Sequence, residues 1–210
     1  MKKINKQESP QWFEDWKKNF KVANNREPHY KNDFSTDDMD GVNRRRKLRE
    51  CLVDEQGEIC CYCMRKITTV LSHVEHFLPK DSFRNKDLEY DNLFASCNGE
   101  ETIREDEDHC GHRKKDWWRR DMLSPTDMEV EKAFKYSLNG KINSVKGRTT
   151  ENIAQEMIHN LGLDSFHLER DRRQAIEASE VFDDEEYSEE EIRSCAEHLI
   201  TMISRVNQKR

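Results

Sequence analysis

Seven cysteines in a chain of 210 residues constrain its fold more than any other feature of the sequence. Cys60 and Cys63 are separated by two residues, and Cys97 and Cys110 follow further along the chain. A two-residue gap allows a tight turn to direct both sulfur atoms at one metal ion, and thiolates bind zinc through short bonds. These four cysteines therefore predict a closed zinc site that is structural rather than catalytic.

The fourth zinc ligand is open at this stage. The stretch between Cys97 and Cys110 is too long for a second tight turn, and His109 beside Cys110 is an alternative ligand. We favour Cys110 because its thiolate matches the other three. A redox-active pair is the competing interpretation of Cys60 and Cys63, but no βαβ pattern surrounds them. The cysteines predicted to lie outside the zinc site are Cys51, Cys61 and Cys195.

The composition indicates why a metal would matter to this chain. Only 34% of the residues are hydrophobic and 38% are charged, so the apolar core must be thin. An aromatic content of 9% and a net charge of only -7 nevertheless favour a folded protein over a disordered one. We therefore expect a fold in which bound metal adds to the stability that burial provides.

The sequence also predicts a soluble, cytoplasmic protein with no membrane segment. No hydrophobic run approaches the roughly 18 to 20 residues of a membrane-spanning helix. The first residues, MKKINKQESPQW, contain lysine without the apolar stretch of an export signal. Thiols stay reduced in the cytoplasm, which favours metal binding over disulfides.

Charge is unevenly distributed along the chain. Residues 1–125 are almost neutral, whereas residues 126–210 hold most of the negative charge. Two basic clusters lie in the first part, at 44–49 and 113–120. We interpret the first as a solvated helix face or an anion-binding surface, while the second includes two tryptophans that can stack on nucleobases. The predicted nucleic-acid contacts of the second cluster are Arg113, Lys115, Trp117, Arg119 and Arg120.

Hydrophobic periodicity divides the chain into three parts. Residues 1–57 form a predicted N-terminal helical segment, residues 58–125 a metal-organised centre of short strands and loops, and residues 126–210 a C-terminal helical region. In the last part, Asn139-Gly140 predicts a hairpin over 137–146. Helices are predicted at 11–22, 42–56, 127–136, 149–161, 165–182 and 188–207.

A second group of polar residues lies between the cysteines. The segment SHVEHFLPK places Glu75 next to His76 at a predicted strand end. A carboxylate can hold a hard divalent ion, while a neutral imidazole can take a proton from water, and hydrolysis needs both functions. Asn92 and His112 follow along the chain. This order of residues is hard to obtain by chance.

These motifs resemble those of the HNH, or ββα-metal, endonucleases. The resemblance rests on Cys-x-Tyr-Cys, His-Val-Glu-His-Phe-x-Pro-Lys, Tyr-Asp-Asn-Leu and Cys-Gly-His-x-Lys, in that order. Within this family the motifs look like those of the PtuB proteins of Septu antiphage systems and their retron-associated relatives, and the strong part of the resemblance covers residues 60–115. It implies a mainly α protein with a small zinc-stabilised ββα-metal (HNH) centre, in which a β-hairpin precedes a helix.

The resemblance also implies roles for individual residues. His76 would be the general base, and Asn92 would fix the loop that orients it. Glu75 and His112 would hold a catalytic Mg2+ or Mn2+ ion, separate from the structural Zn2+ of the cysteines.

Two further expectations concern the residues that would stabilise the phosphate and the residue that would support the active site. Lys114 or Arg113 is expected to stabilise the negative charge that develops on the phosphate. His73 is expected to support the site structurally, or to contact a metal ligand, rather than to bind the ion itself.

The predicted function is metal-dependent hydrolysis of phosphodiester bonds in DNA or RNA by the effector subunit of a bacterial antiphage complex. The resemblance implies an ABC/AAA-type, PtuA-like ATPase as partner, and it allows a retron reverse transcriptase with its DNA product, and a homodimer. An acidic chain needs such a partner because sequence-independent affinity for nucleic acid comes from many phosphate contacts. The alternative is a zinc-stabilised module that binds nucleic acid or protein without catalysis.

Overall fold

The computed structural model describes residues 1–34, 43–99 and 108–177, which contain six helices and two small antiparallel sheets. The helices are α1 (Gln11–Asn24), α2 (Arg44–Glu55), α3 (Cys110–Lys114), α4 (Val130–Ala133), α5 (Glu151–Asn160) and α6 (Phe166–Glu177). The strands are β1 (Ser72–His76), β2 (Leu93–Cys97), β3 (Phe134–Tyr136) and β4 (Ile142–Ser144). Within these ranges, no helix has the length and apolar character needed to cross a membrane.

Helix α1 forms because its aromatic residues repeat at helical spacing and face the core. Phe13 is fully buried and packs edge-on against Phe34, with ring centroids 5.4 Å apart. Trp16 packs against the same Phe34 ring at 4.9 Å. The helix ends where Asn25 takes the left-handed conformation, with φ of 53°. The aromatic stripe seen in the sequence is thus a packed face.

Helix α2 leads into the cysteine-rich segment and packs against β1 and β2. Asn43 caps its start, because the side-chain oxygen accepts a hydrogen bond from the N–H of Arg46 at 2.8 Å. After its end, the buried side chain of Gln56 bonds to the N–H and the carbonyl oxygen of Ala95, at 2.7 and 2.9 Å. Gln56 therefore takes the place of a neighbouring strand at this point of β2 and fixes α2 against the hairpin.

Strands β1 and β2 pair in antiparallel register, with Glu75 opposite Phe94 and His76 opposite Leu93. Strand β2 is buried along its whole length, since α2 and α3 both pack on it. Helix α3 follows in the chain, so two strands and then a short helix surround the cysteines. This is the order of elements expected for the centre of the chain.

One segment of the C-terminal half differs from the expectation. The sequence predicts a single helix over 127–136, but only Val130–Ala133 is helical and the next three residues form β3. Phe134 and Tyr136 lie on the buried side of β3, which pairs with β4. Pairing across the hairpin therefore outweighs the helical pattern of this segment.

The hairpin predicted from Asn139-Gly140 is present and joins β3 to β4. Gly140 has a φ of 85°, and a Cβ there would lie only 2.1 Å from the carbonyl oxygen of Glu169 in α6. Glycine thus permits both the turn and the close approach of α6. Helix α6 is described to residue 177 of the predicted 165–182, and the helix predicted at 188–207 lies outside the described residues.

Candidate metal centre and active site

The four cysteines predicted to bind zinc lie together in the folded chain. Cys60, Cys63, Cys97 and Cys110 are all buried, and their sulfur atoms lie within 4.8 Å of one another. The sulfur atoms of Cys63 and Cys97 are 3.7 Å apart. Four zinc–sulfur bonds of about 2.3 Å in a tetrahedron place sulfur atoms about 3.8 Å apart. The cluster therefore has the dimensions of a structural zinc site.

The backbone around the first cysteine pair forms a tight turn that directs both sulfur atoms to one place. The N–H of Cys60 donates to the carbonyl oxygen of Arg65 at 2.8 Å, and the N–H of Met64 donates to that of Cys60 at 3.1 Å. Met64 completes the turn in the left-handed conformation, with φ of 64°. A bridge between Ile59 and Lys66 closes the base of the turn.

The cysteines of the cluster differ in the direction in which their surroundings shift the thiol pKa. Burial alone would raise the pKa of Cys60, but hydrogen bonds from the neighbouring thiols hold that pKa well below its ordinary value. Burial raises the pKa of Cys110, and its bonds to the other thiols raise that pKa further. The N–H of Cys97 also donates to the sulfur of Cys60 at 3.3 Å. A buried thiolate needs a positive partner, which a bound metal ion supplies.

His109 is fully buried and lies against the edge of this cluster. Its Nδ1 atom is 3.2 Å from the sulfur of Cys110 and 3.6 Å from that of Cys97. Its Nε2 atom is 3.2 Å from the guanidinium of Arg65, which forms an ion pair with Asp171 of α6. The arrangement favours Cys110 as the fourth ligand, with His109 as its neighbour.

The predicted catalytic-metal ligands meet between β1 and α3. Residues alternate between the faces of a strand, so His73 and Glu75 share one face of β1. The Nε2 atom of His73 is 3.7 Å from Oε2 of Glu75, and its ring stacks on that of His112 with centroids 4.5 Å apart. A Cβ on Gly111 would lie 2.4 Å from Nε2 of His73 and 2.6 Å from Oε2 of Glu75. Only glycine allows α3 to approach β1 so closely.

The carboxylate of Glu75 is held by two buried side chains. The ammonium of Lys114 lies 2.9 Å from Oε1, and the hydroxyl of Tyr62 donates to the same oxygen at 3.1 Å. Burial alone would raise the pKa of Glu75, but the neighbouring imidazole of His73 and the charge of Lys114 lower that pKa overall. Glu75 is therefore ionised at neutral pH, with Oε2 turned toward His73.

The imidazole of His112 is half-exposed and is the part of this group that faces solvent most. Burial lowers the pKa of His112, and the neighbouring imidazole of His73 lowers that pKa further. A neutral ring results at pH 7, which is the form of histidine that binds metal ions.

Lys114 lies behind Glu75, with 1% of its side chain exposed. Its ammonium also donates to the carbonyl oxygen of His76 at 2.9 Å. Both contacts hold the end of β1 in place, so the ammonium of Lys114 already has partners within the protein in this arrangement. A direct contact of Lys114 with phosphate stays a prediction.

His76 is 7% exposed, and two neighbours fix its ring. Its Nε2 atom lies 2.9 Å from the carbonyl oxygen of Asp87, and Tyr30 contacts the ring edge-to-face with centroids 4.6 Å apart. Since a carbonyl oxygen only accepts, Nε2 carries the proton and Nδ1 carries the lone pair. Burial lowers the pKa of His76 to about 4, so the ring is neutral at pH 7.

Asn92 ties together the two sides of the loop after β1. Its side-chain oxygen accepts a hydrogen bond from the N–H of Leu78 at 2.7 Å. Its amide nitrogen donates to the carbonyl oxygens of Leu78 and Lys86, at 3.1 and 2.9 Å. The chain that follows His76 is thereby fixed to the segment that carries Asp87. The catalytic role that the resemblance implies for Asn92 stays a prediction.

The five residues predicted to bind nucleic acid differ in exposure. Trp117 is partly buried and packs against the core. The Arg113 side chain lies against Gly162, where a Cβ would be 2.6 Å from Cδ of the arginine. The exposed members are Lys115, Arg119 and Arg120. Their part in nucleic-acid binding stays a prediction.

Sequence reasoning gives His73 a supporting role, which stays a prediction, and it does not identify the contacts made by Tyr62 and Asp87. Alternation along β1 is a signal that pairs His73 with Glu75. Tyr62 lies inside the Cys-x-Tyr-Cys motif, but its contact with Glu75 depends on how the cysteine turn docks on β1. Asp87 contacts His76 through its backbone carbonyl oxygen. Because every residue type has this oxygen, the sequence does not predict the contact.

A two-stranded hairpin and a short helix place histidine and carboxylate side chains beside a cluster of four cysteines that could hold a metal ion. No protein-family model matches the sequence. A retron Vc95 protein of Vibrio cholerae serotype O1 biovar El Tor, named as a candidate HNH endonuclease, is 34% identical over 151 residues. The match covers 69% of this chain and 70% of that protein. The chain belongs to the HNH endonuclease family.

Proposed function

We propose that the protein is a metal-dependent HNH endonuclease that hydrolyses phosphodiester bonds of nucleic acid, with β1, β2 and α3 as a ββα-metal centre in a mainly α chain. One observation carries the proposal: His76, whose Nε2 atom is fixed on the carbonyl oxygen of Asp87, directly follows Glu75 in β1, and Lys114 and Tyr62 hold the carboxylate of Glu75. A phosphodiester resists attack because it is anionic, so its hydrolysis needs a base for water and positive charge near the phosphate. The family relation supports the same reaction.

We infer that the catalytic Mg2+ or Mn2+ ion is held by Glu75 and His112, with His73 as a third ligand. The residues fit such an ion. The side chains at Oε1 leave Oε2 of Glu75 available, and Nδ1 of His73 is buried without a hydrogen-bond partner among the described residues. Nε2 of His73 lies 3.7 Å from Oε2 of Glu75, so this nitrogen faces the proposed position of the ion. When bound, the ion offsets the negative charge of the scissile phosphate.

His76 performs the proton transfer in this mechanism. Because Nε2 donates its hydrogen to Asp87, the lone pair on Nδ1 is the group that accepts a proton from the attacking water. The nearby carboxylate of Glu75 stabilises the imidazolium that forms. Asn92 keeps the loop closed, so the ring stays bonded to Asp87 during the reaction.

We propose that this nuclease is the cytoplasmic effector subunit of a bacterial antiphage complex with a PtuA-like ABC/AAA-type ATPase. Two observations support this setting: the resemblance of the motifs to PtuB proteins, and the similarity to a protein named for a retron. The net charge of -7 supports a partner that delivers the DNA or RNA. A retron reverse transcriptase with its DNA product, and a second copy of this chain, fit the same setting.

Metal-dependent cleavage is the direct test of this function. The full chain, purified with its ATPase partner, is expected to cut DNA or RNA when Mg2+ or Mn2+ is present. Dialysis into buffer without divalent ions should stop cleavage, and added Mg2+ should restore it while the zinc content stays constant. Binding of nucleic acid without cleavage, and zinc as the sole bound metal, would instead support a zinc-stabilised binding module.

Replacement of Gly111 with alanine is expected to damage the catalytic metal site and leave the fold intact. The added methyl group would lie 2.4 Å from Nε2 of His73 and 2.6 Å from Oε2 of Glu75, so both ligands must move. Displaced ligands should weaken Mn2+ binding by about 10- to 100-fold, as measured by titration calorimetry.

The matched control is Gly147→Ala, in the exposed connection between β4 and α5. A Cβ there has no neighbour within 4 Å among the described residues, although the left-handed φ of 76° adds backbone strain. This variant should lose a little stability and keep its affinity for Mn2+. Unchanged Mn2+ binding in Gly111→Ala would contradict the placement of the ion between β1 and α3.

A further inference from the structure

The ring of His76 is held from outside the hairpin, by the turn at residues 28–34. Tyr30 in this turn meets the imidazole edge-to-face, with the ring planes at 83° and the centroids 4.6 Å apart. The turn precedes all of the HNH motifs in the sequence, so none of the motifs includes Tyr30. Packing between distant segments of the chain creates the contact.

Asp87 connects this turn to His76 through two different groups. Its carbonyl oxygen lies 2.9 Å from Nε2 of His76, and its carboxylate accepts a hydrogen bond from the N–H of Tyr30 at 3.0 Å. The Nδ1 atom of His29 lies 3.4 Å from the same carboxylate. One residue therefore fixes both the imidazole and the backbone of the turn that packs on it.

Helix α2 holds the turn through Arg45. The guanidinium donates to the carbonyl oxygens of Phe34 and Tyr30, at 2.7 and 3.1 Å. It also lies 5.0 Å from the centroid of the Tyr30 ring, within the range of a cation–π contact. Both the backbone and the ring of Tyr30 are thus fixed, which limits the rotamers open to His76.

We propose that Tyr30 is a positioning residue for the general base. Its ring, held by Asp87 and Arg45, keeps the imidazole of His76 bonded to the Asp87 carbonyl and so keeps Nδ1 available to water. This role rests on the function proposed above, because it matters to the reaction only if His76 is the base. Misplacement of a catalytic group by about 1 Å lowers a rate by about 100-fold, so positioning has a measurable effect.

Steady-state kinetics on the full chain test the catalytic part of the proposal. Tyr30→Ala should lower kcat for nucleic-acid cleavage by about 10- to 100-fold, with KM close to the wild-type value. Tyr30→Phe keeps the ring and should keep kcat. The matched control is Trp16→Ala, which removes a ring from the same aromatic cluster but one that packs on Phe34. Equal losses of kcat in Tyr30→Ala and Trp16→Ala would overturn the proposal.

NMR of the imidazole nitrogens tests the positioning without any need for activity. The His76 signals, identified by their loss in His76→Ala, should show a single Nε2–H tautomer in the wild type. Tyr30→Ala should mix the two tautomers, and Trp16→Ala should not. Asp87→Ala removes the carboxylate that holds Tyr30 but keeps the carbonyl, so it should give the same mixture even if Tyr30→Ala does not fold.

The kinetic and NMR results together distinguish the positioning role of Tyr30 from the role of His76 as general base. A single Nε2–H tautomer in both Tyr30→Ala and Asp87→Ala would overturn the positioning role. Mixed tautomers in these variants, combined with wild-type cleavage by His76→Ala, would instead reject His76 as the base and leave Tyr30 as the residue that holds its ring.

Discussion

His76→Ala is expected to lower the rate of nucleic-acid cleavage by about 100- to 10,000-fold, the range that a general base contributes. The reason is local: the variant loses the lone pair on Nδ1 but keeps Glu75 and His112. Binding of the divalent ion should therefore be unchanged. Single-turnover cleavage with Mg2+ measures the rate, and calorimetry with Mn2+ measures the affinity.

His159→Ala is the matched control for this experiment. His159 is exposed on α5, outside the hairpin and α3 that form the proposed site, so its removal should change neither cleavage nor ion binding. A third variant, Glu75→Gln, should lose both ion binding and cleavage, which separates a metal ligand from a base. Cleavage by His76→Ala at the wild-type rate would remove His76 from the mechanism.

The sequence predicts much of this site because its chemistry is tied to residue type and short spacing. Cys60 and Cys63 are close in the chain, and a single turn brings their sulfur atoms together. Glu75 and His76 are adjacent at the end of a strand, so their proximity needs no long-range packing. The resemblance assigns Asn92 to the loop, and in the structure its side chain bonds to Leu78 and Lys86, while its catalytic role stays a prediction.

The contacts that the sequence does not predict join distant segments or act through the backbone. Tyr30 reaches His76 across 46 positions of the chain because the turn after α1 packs on the hairpin. Asp87 contributes a carbonyl oxygen, which every residue type has. Gly111 is needed for the close approach of α3 to β1, and that approach exists only once the two elements are packed. Such features follow from tertiary structure.

Cys63→Ser should abolish the cooperative unfolding transition of the protein. A structural zinc contributes about 10 to 16 kcal/mol of binding free energy in zinc-finger peptides, as much as the roughly 5 to 15 kcal/mol that stabilises a whole domain. In this chain the four sulfur atoms join the cysteine turn, β2 and α3, and the hydrophobic content of 34% offers little to replace them. Metal analysis and thermal unfolding followed by circular dichroism measure the loss.

Cys51→Ser is the matched control, since Cys51 lies outside the cluster of four in a partly exposed position on α2. It should keep the zinc content and the melting curve of the wild type. The two proposed metal sites should also be coupled, with zinc having the larger effect on stability. Because zinc bound by the four cysteines would hold α3 against the hairpin, loss of zinc should remove Mn2+ binding at Glu75 and His112, whereas removal of a weakly bound Mg2+ ion should lower the melting temperature only slightly. A Cys63→Ser protein with wild-type zinc content and cooperative melting would show that packing alone brings these segments together.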